Sequence, residues 1–296
     1  MNILVFGAGA IGSLFGGLLS KNNNVAFVGR RDHVNAINEE GLKIEGLTSI
    51  NAKVSAVENI RDISFIPDII IISVKSYDTE KAAKNIKKIV SKNTVVISLQ
   101  NGLGNIEKIQ RHVDKEQIVS CITTHGSIFL KPGCIKHTGI GNTIIGSVKN
   151  NNYVKIISNL LNNSGIKTKI SEDIFRDIWV KAIINSSINP LTSIFTCKNG
   201  YLLENPILEN LVDKICEEST NVANTYGFIL SKENMIKETK NVIKNTSENH
   251  SSMLQSLKAG KKTEINEINY NIIKVAVKHN IKTPLNLILL KLVSFT

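Results

Sequence analysis

Residues 2–12 form a short apolar run that leads into a glycine-rich turn, and they read Asn2-Ile3-Leu4-Val5-Phe6-Gly7-Ala8-Gly9-Ala10-Ile11-Gly12. The glycines match G-x-G-x-x-G, which binds a pyrophosphate when a strand precedes it and a helix follows. Gly7 permits the tight turn, Gly9 lets the backbone approach a phosphate, and Gly12 lets the helix pack on the strand. We predict a dinucleotide site here; the alternative is a glycine turn that binds nothing.

The rhythm of a strand followed by a helix continues through the first half of the chain. Short runs rich in Val and Ile predict buried parallel strands at residues 24–28, 68–73 and 94–99. Helical patterns at residues 11–20 and 79–90 separate these runs. We expect further strands within residues 117–147 to complete the same sheet. The predicted class is α/β, an N-terminal Rossmann doubly wound sheet with a C-terminal all-helical domain.

The second half of the sequence has helical periodicity throughout. We predict a Rossmann domain over residues 1–170 and a helical domain over 171–296. The helix predicted after Ser171 has apolar side chains in nearly every direction around its axis, as does a helix buried in a core. Ser171 is the predicted N-cap of that helix, with Glu172 and Asp173 in its first turn. Patterns for three more helices cover residues 206–226, 232–244 and 264–279.

Composition excludes several classes of protein. With 42% hydrophobic and 21% charged residues among 296, the chain is globular rather than disordered. The formal net charge is +11, from 36 Lys and Arg against 25 Asp and Glu, but the lysines are scattered. Scattered lysines favour a solvated surface over a nucleic-acid footprint, which requires a patch. The four cysteines lack paired spacing, which predicts buried free thiols and no metal site.

We expect a cytoplasmic protein with no membrane association. The best apolar run, Ile69–Ile72, is too short to span a bilayer. The N-terminus lacks the basic region and the small-residue cleavage site of a signal peptide.

The residues after the second strand favour NADP(H) over NAD(H). An NAD site usually has a carboxylate at the end of this strand, whereas this chain reads Val28-Gly29-Arg30-Arg31. A guanidinium can hold a 2′-phosphate through bidentate, charge-assisted hydrogen bonds. Two alternatives remain open at this point, because either arginine could be ordinary surface charge and Asp32 could bind a ribose.

Lys181 lies within the apolar helix of the second half, on one stripe with Ile178 and Asn185. An ammonium and an amide on an otherwise apolar stripe suggest the wall of a site, because their burial costs free energy unless they are partnered. The spacing is equally compatible with a lysine that snorkels to water. A lysine in a site could donate the proton that a developing alkoxide needs during reduction of a carbonyl.

Five stretches, in order along nearly the whole chain, resemble the ketopantoate reductases (2-dehydropantoate 2-reductases) of the wider 6-phosphogluconate dehydrogenase-like group. They are residues 7–12, Ser73-Val74-Lys75-Ser76, Gln100-Asn101-Gly102, Trp179-Val180-Lys181 through Asn185 to Asn189-Pro190-Leu191-Thr192, and His250-Ser251-Ser252-Met253-Leu254-Gln255 leading to Thr263-Glu264-Ile265. The glycine motif is common among dehydrogenases, so the last two stretches carry the resemblance.

The resemblance implies a role for each matching residue. Lys181 would be the general acid, and Glu264 would orient it or hydrogen-bond the substrate. The keto acid's hydroxyl and carboxylate would be held by Asn185, Asn189 and Ser252. Lys75 and Asn101 would lie near both the nicotinamide ribose and the reacting carbonyl, with Glu264 also near the cofactor. The cofactor-binding residues would be Gly7, Ala8, Gly9, Ala10, Ile11, Gly12 and Arg30, together with Lys75, Asn101 and Glu264.

The implied reaction is NADPH-dependent reduction of 2-dehydropantoate to (R)-pantoate, on the route to pantothenate and coenzyme A. The family also implies a possible homodimer through the helical domain. One departure is Tyr270, which follows Asn269 where the family usually has glycine. Taken singly, Ser252 could be a helix cap, Glu264 a surface acid and Asn101 a turn residue. Three other functions stay open: reduction of another branched 2-keto acid, NADP sensing without catalysis, and nucleic-acid binding.

Overall fold

The computed structural model describes residues 1–149 and 152–295. The chain forms two compact units. Unit 1 contains residues 1–100 and 105–174, and unit 2 contains residues 101–104 and the chain from residue 175 onward. The short segment 101–104 therefore packs with unit 2, although it lies between two parts of unit 1 in sequence. The division of the chain into domains at residue 170 stays a prediction.

The described residues contain twelve strands, all in unit 1, which are numbered in chain order. They are β1 Asn2–Phe6, β2 Asn24–Val28, β3 Leu42–Gly46, β4 Ile50–Ala52, β5 Ser55–Val57, β6 Ile69–Ile72, β7 Val95–Ser98, β8 Ile118–Thr123, β9 Gly126–Lys131, β10 Cys134–Gly139, β11 Thr143–Ser147 and β12 Thr168–Ile170.

The twelve α-helices found in residues 1–149 and 152–295 are numbered in the same way. They are α1 Ala10–Leu19, α2 Arg31–Glu40, α3 Thr79–Ile86, α4 Asn105–Gln110, α5 Tyr153–Asn163, α6 Ile174–Ile194, α7 Tyr201–Glu204, α8 Pro206–Ala223, α9 Lys232–Asn245, α10 Ser252–Lys258, α11 Asn271–Lys278 and α12 Pro284–Phe295. A π-helical turn, Asn266–Tyr270, leads directly into α11. Single 3-10 turns occur at Ile60–Asp62, Ser76–Asp78, Lys115–Gln117 and Asn224–Tyr226.

The main sheet of unit 1 has eight strands in the order β12-β11-β8-β7-β6-β1-β2-β5. All adjacent pairs in this sheet are parallel except β8 with β11. Its six strands from β5 to β8 have the 3-2-1-4-5-6 order of Rossmann folds, and the strand order reverses beside β1. The predicted α/β class is confirmed.

The strands of this sheet are short apolar runs because both of their faces are covered. All four residues of Ile69–Ile72 are buried, as are all four of Val95–Ser98. One face of the sheet packs with α1 and α5, and the other with α3 and α4. Burial on both faces removes the alternation of polar and apolar residues that a half-exposed strand shows, so these strands are recognised in the sequence as short, continuous runs rich in Val and Ile.

The expectation that residues 117–147 complete the same sheet is only partly right. β8 and β11 do join the main sheet, but β9 and β10 belong to a second, four-stranded sheet in the order β4-β3-β10-β9. The cause is the pairing of β10, which lies parallel to β3, a strand about ninety residues earlier in the chain. This second sheet covers α1, since Leu42, Ile44 and Ile135 share a core with Leu14. Pairing between such distant strands has no local signal in the sequence.

Three histidines are buried behind α1, between the helices and the second sheet. His33 contacts Ser13 Oγ through Nε2 at 3.2 Å and accepts a hydrogen bond from the Gly133 N–H through Nδ1. The rings of His125 and His137 are stacked, with Nδ1 and Nε2 3.2 Å apart. Burial lowers the pKa of all three histidines below the ordinary value of 6.5. These rings are therefore neutral in the folded chain at pH 7.

We expect the stability of unit 1 to fall as the pH drops below about 6.5. The unfolded chain binds protons on these histidines at a higher pH than the folded chain, so acid favours unfolding. Their contribution to stability is full above the unfolded-state pKa and is lost as the pH falls through the lower folded-state pKa. Urea midpoints measured between pH 7.5 and 5.5 should fall for the wild type and fall less for His125→Asn. Equal slopes for the two proteins would contradict this assignment.

Unit 2 is helical and is built around α6. Trp179, Ile183 and Leu191 of this helix lie in one core with residues of α8 and α9. The helix begins at Ile174, so the predicted cap at Ser171 is wrong, and the acid in its first turn is Asp177. Ser171 instead donates its N–H to the Ile145 carbonyl of β11, which extends the pairing of β12 with that strand. None of the helices within the described residues is both long and apolar enough to cross a bilayer.

The four cysteines are free, and three of them are buried, as predicted. Burial raises the pKa of Cys134, Cys197 and Cys216. A raised pKa keeps a thiol protonated at neutral pH, which lowers its reactivity as a nucleophile. Within the described part of the chain, no group of three or more His, Cys, Asp or Glu side chains is placed to hold a metal ion.

Candidate functional site

The glycine turn connects β1 to α1 at the point where the strand order of the main sheet reverses. Gly7 has φ +113°, a conformation that side chains disfavour, and its N–H donates to the Val28 carbonyl. Gly9 is the N-cap of α1, without a side-chain cap, and the first turn of the helix has no acidic residue. The start of α1 therefore keeps the partial positive charge that binds phosphate. These features fit a dinucleotide pyrophosphate.

Gly9 and Gly12 differ in the space that is available for a side chain. A Cβ added at Gly12 would overlap both the Gly7 carbonyl oxygen and Ser73 Oγ, which are themselves joined by a 2.8 Å hydrogen bond. A Cβ added at Gly9 would have no heavy atom of the described chain within 4 Å. Gly12 is therefore required by the packing of the chain, whereas the space beside Gly9 is left open, as a ligand would need.

We expect Gly9→Ala and Gly12→Ala to fail in different ways. Gly9→Ala should keep the wild-type melting temperature but bind NADPH about tenfold more weakly, because the methyl group occupies the space for the phosphate. Gly12→Ala should lose about 1–3 kcal/mol of stability, because the added methyl overpacks the turn. Thermal melts and NADPH titration distinguish the two variants, and a large loss of stability in Gly9→Ala would contradict this interpretation.

The two arginines after β2 differ in what they contact. Arg31 pairs with Glu58, with Nε 3.0 Å from Oε1, at the surface of unit 1. Arg30 is exposed and is the N-cap residue of α2, and no residue in the described ranges forms an ion pair or side-chain hydrogen bond with it. The guanidinium of Arg30 is thus available to an external anion, while that of Arg31 already has a carboxylate partner.

The loops after β6 and β7 are joined by a residue to which the sequence analysis gave no role. Gln100 Nε2 donates to the Val74 carbonyl and to Thr79 Oγ1, both at 2.8 Å. Lys75 lies in the first of these loops, half-buried, just before the 3-10 turn Ser76–Asp78. Gln100 therefore fixes the backbone next to Lys75. Its position at a strand end, within a stretch that carries the resemblance, was the available signal.

Asn101 belongs to unit 2 through the segment that follows it. Gly102 has φ +82°, and a Cβ there would clash with the Glu267 carbonyl oxygen. The Leu103 N–H donates to that same carbonyl at 2.9 Å, and Asn271 Nδ2 donates to the Leu103 carbonyl at 2.7 Å. These bonds attach segment 101–104 to the π-helical turn that follows Glu264. The structure therefore brings the neighbourhoods of two predicted site residues, Asn101 and Glu264, together.

Helix α6 carries three of the predicted site residues. Lys181 and Asn185 are four residues apart, so they lie on one face of the helix, and both are half-buried. Asn189 lies one turn further along and is buried, with 5% of its surface exposed. Lys181 and Asn185 thus lie on one stripe of α6, as the spacing predicted.

Ser252 is not the cap of its helix. Ser251 is the N-cap of α10, and its Oγ accepts from the Leu254 N–H at 3.2 Å. Thr192 of α6 donates to the same Ser251 Oγ at 2.7 Å. Ser252 is exposed at the first position of the helix. The alternative that Ser252 is a cap is therefore wrong, and its hydroxyl lies on the surface of unit 2.

Glu264 is buried, with 6% of its surface exposed, two residues before the π-helical turn. Its carbonyl accepts from the N–H groups of Glu267 and Ile268, both at 3.1 Å. Turns of this kind are uncommon and occur frequently at functional sites. Tyr270 ends the turn with 48% of its surface exposed, so it adds no bulk to the core of unit 2. The position of Glu264 excludes the alternative that it is a surface acid.

The fold and these residues define a class of protein, a dinucleotide-binding α/β protein with a helical second unit. The chain belongs to the ketopantoate reductase PanE/ApbA family. Residues 3–150 match the family described as "Ketopantoate reductase PanE/ApbA", and residues 173–296 match its C-terminal counterpart. A 2-dehydropantoate 2-reductase of Pyrococcus abyssi is 40% identical over 294 residues, which cover 98% of this chain and 95% of that protein.

Solved structures with the same fold include two different named activities. A D-mandelate dehydrogenase, in a ternary complex with NADH and anilino(oxo)acetate, matches with a TM-score of 0.95 at 27% identity and covers 100% of this chain and 98% of that one. A PanE/ApbA family ketopantoate reductase of Ralstonia eutropha matches with a TM-score of 0.92 at 26% identity, with the same coverage. The fold is therefore shared by a D-mandelate dehydrogenase and a ketopantoate reductase.

Proposed function

We propose that this protein reduces 2-dehydropantoate to (R)-pantoate with NADPH, a reaction on the route to pantothenate and coenzyme A. The observation that carries the proposal is that two sets of residues occur in one chain. Unit 1 has the open phosphate turn at residues 7–12. Unit 2 has Lys181, Asn185 and Glu264, which lie on elements that hydrogen bonds join to one another. The 40% identity to a 2-dehydropantoate 2-reductase supports this substrate.

Unit 1 would hold the cofactor. The N–H groups at the start of α1 would bind the pyrophosphate, and Arg30 would bind the 2′-phosphate. The observation that Arg31 is engaged with Glu58 whereas Arg30 has no such partner in the described chain supports Arg30 for this role. Lys75 and Asn101 would lie near the nicotinamide ribose. The nicotinamide, when bound, supplies the hydride.

Unit 2 would supply the proton and hold the keto acid. The Lys181 ammonium would donate its proton to the oxygen of the ketone, which gains negative charge as the carbon is reduced. The buried carboxylate of Glu264 would orient Lys181 by hydrogen bonding. Asn185, Asn189 and Ser252 would hold the hydroxyl and carboxylate of the substrate, because amides and hydroxyls bind both groups without competing for the proton. A homodimer and a cytoplasmic location remain predictions.

The test is NADPH oxidation by the purified protein over a panel of 2-keto acids, with NADH in parallel. We expect the highest kcat/KM for 2-dehydropantoate with NADPH. Tight NADPH binding without turnover of any keto acid would support a noncatalytic sensor instead. Retention on DNA or RNA that weakens with salt and ignores NADPH would support nucleic-acid binding.

A second candidate is reduction of a different 2-keto acid. The match to a D-mandelate dehydrogenase, whose complex holds NADH and the keto-acid analogue anilino(oxo)acetate, supports this candidate. It predicts a higher kcat/KM for an aryl 2-keto acid such as benzoylformate than for 2-dehydropantoate. The same panel, with benzoylformate included, decides between the two substrates.

A further inference from the structure

Proline 190 leaves a gap in the hydrogen bonding of α6. It lies inside the helix, four residues after Ser186. In a regular helix the N–H of residue 190 would donate to the Ser186 carbonyl, but proline has no N–H, and its ring also crowds that carbonyl. Ser186 is fully buried, so water cannot replace the missing donor. A buried carbonyl without a donor destabilises the fold, so a partner from another element is required.

Asn269 provides that partner. Its Nδ2 donates to the Ser186 carbonyl at 3.3 Å and to Asn286 Oδ1 at 2.9 Å. Asn269 is fully buried and is part of the π-helical turn that begins two residues after Glu264. The side chain therefore links the turn after Glu264 to α6 at the residue next to Asn185. Because Ser186 is fully buried, this amide is a buried polar contact between the two elements.

Further buried polar groups hold Asn269 in place. Asn286 Nδ2 donates to Glu218 Oε1 at 2.8 Å and to Ser219 Oγ at 3.2 Å. The Glu218 carboxylate also accepts the N–H groups of Leu285 and Asn286 at the start of α12. Ser219 Oγ in turn contacts Ser186 Oγ at 3.0 Å. The chain of hydrogen bonds therefore closes on α6. Asn269 Oδ1 has no hydrogen-bond partner within the described residues, so the position of this side chain depends on the two bonds that its Nδ2 donates.

We propose that Asn269 is a positioning residue that completes the helix interrupted by Pro190 and so holds Glu264 in register with Lys181 and Asn185. The same turn receives segment 101–104 through the bond from the Leu103 N–H to the Glu267 carbonyl, so it also sets the position of Asn101. The turn thus joins three of the elements that carry predicted site residues. The expected effect of Asn269 on the reaction rate rests on the proposed function. Its expected effect on the structure of unit 2 does not.

The test is a double-mutant cycle between Asn269→Leu and Pro190→Ala. Asn269→Leu keeps the approximate volume but removes the donor to Ser186. We expect a loss of about 5 °C in melting temperature. We also expect a fall in kcat of about tenfold or more, with KM for NADPH unchanged, because a small misplacement of the reacting groups suffices. Pro190→Ala supplies the missing N–H to Ser186, so Asn269→Leu should cost clearly less in the P190A background.

The rescue is expected to be partial, because Asn286 Oδ1 still lacks its donor in the double variant. Thr239→Val is the matched control, since Thr239 is also fully buried in unit 2 and its hydroxyl has, among the described residues, one hydrogen-bond partner, Cys216 Sγ at 3.5 Å. It should lower the melting temperature without lowering kcat. Additive effects in the cycle would overturn the pairing of Asn269 with Pro190. Wild-type kcat in Asn269→Leu, in an otherwise active enzyme, would overturn the positioning role.

The two proposals can fail separately. If the wild-type protein does not reduce 2-dehydropantoate, the proposed function fails. The double-mutant cycle in melting temperature still tests the bond between Asn269 and Ser186, because it needs no substrate. Hydrogen exchange gives a second readout that needs no substrate. Amide exchange in residues 264–270 and 183–187 should accelerate in Asn269→Leu and stay at the wild-type rate in Thr239→Val. Unchanged exchange in both variants would overturn the proposal.

Discussion

Replacement of Lys181 by alanine is expected to lower kcat for 2-dehydropantoate by about 100- to 10,000-fold, the range of general acid catalysis. Without the ammonium, the ketone oxygen must gain its negative charge with no proton donor beside it. Alanine is the best helix former, so α6 should remain intact. NADPH affinity should not change, because the phosphate turn and Arg30 lie in unit 1. Single-turnover kinetics and NADPH titration on the same preparation measure both quantities.

Lys240→Ala is the control for the loss of a half-buried lysine from unit 2. Lys240 pairs with Glu209 and Asp213 at 2.8 and 2.9 Å, on a part of the helical unit to which no site role is assigned. This variant should lose some stability and keep its kcat. A Lys181→Ala variant with the rate of the wild type would remove Lys181 from the mechanism, whatever the substrate.

Replacement of Arg30 by alanine is expected to weaken NADPH binding by about 10- to 100-fold and to leave NADH binding unchanged. The range corresponds to the roughly 1.5–3 kcal/mol of a hydrogen bond to a charged group. Only NADPH carries the 2′-phosphate, so the ratio of the two dissociation constants isolates this contact. Since the guanidinium of Arg30 has no ion-pair partner in the described chain, its removal should cost little stability.

Arg31→Ala is the matched control, because the two arginines are adjacent and both are exposed. The Arg31 guanidinium is 3.0 Å from Glu58, so it should contribute much less to phosphate binding. Equal losses of NADPH affinity in the two variants would mean that the phosphate responds to local charge rather than to Arg30 alone. An equal loss of NADH affinity in Arg30→Ala would contradict the assignment of the 2′-phosphate.

Local signals in the sequence were sufficient to locate the main sheet and the phosphate turn. Four of its parallel strands are continuous apolar runs, and Gly7, Gly9 and Gly12 have spacing that has meaning only between a strand and a helix. The second sheet had no such signal, because β10 pairs with β3, a strand that lies about ninety residues earlier in the sequence. The start of α6 was misplaced because Ser171 resembles a cap, while its N–H extends a strand pairing instead.

The candidate site was only partly accessible to sequence reasoning. Helical spacing was enough to place Lys181 and Asn185 on one face of α6. The supporting residues were missed because each acts across elements that are far apart in the chain, as Asn269 does on Ser186 and Thr192 on Ser251. Pro190 inside a helix was a usable signal, because the carbonyl four residues earlier needs another donor.

The proposed transfer of hydride from NADPH to the ketone carbon of 2-dehydropantoate can be followed with NADPH deuterated at C4 on the transferred face and purified wild-type protein. We predict one deuterium at C2 of the product, and chiral chromatography should identify that product as (R)-pantoate. NADPH that remains unoxidised in the presence of 2-dehydropantoate, under conditions in which it binds, would contradict the account.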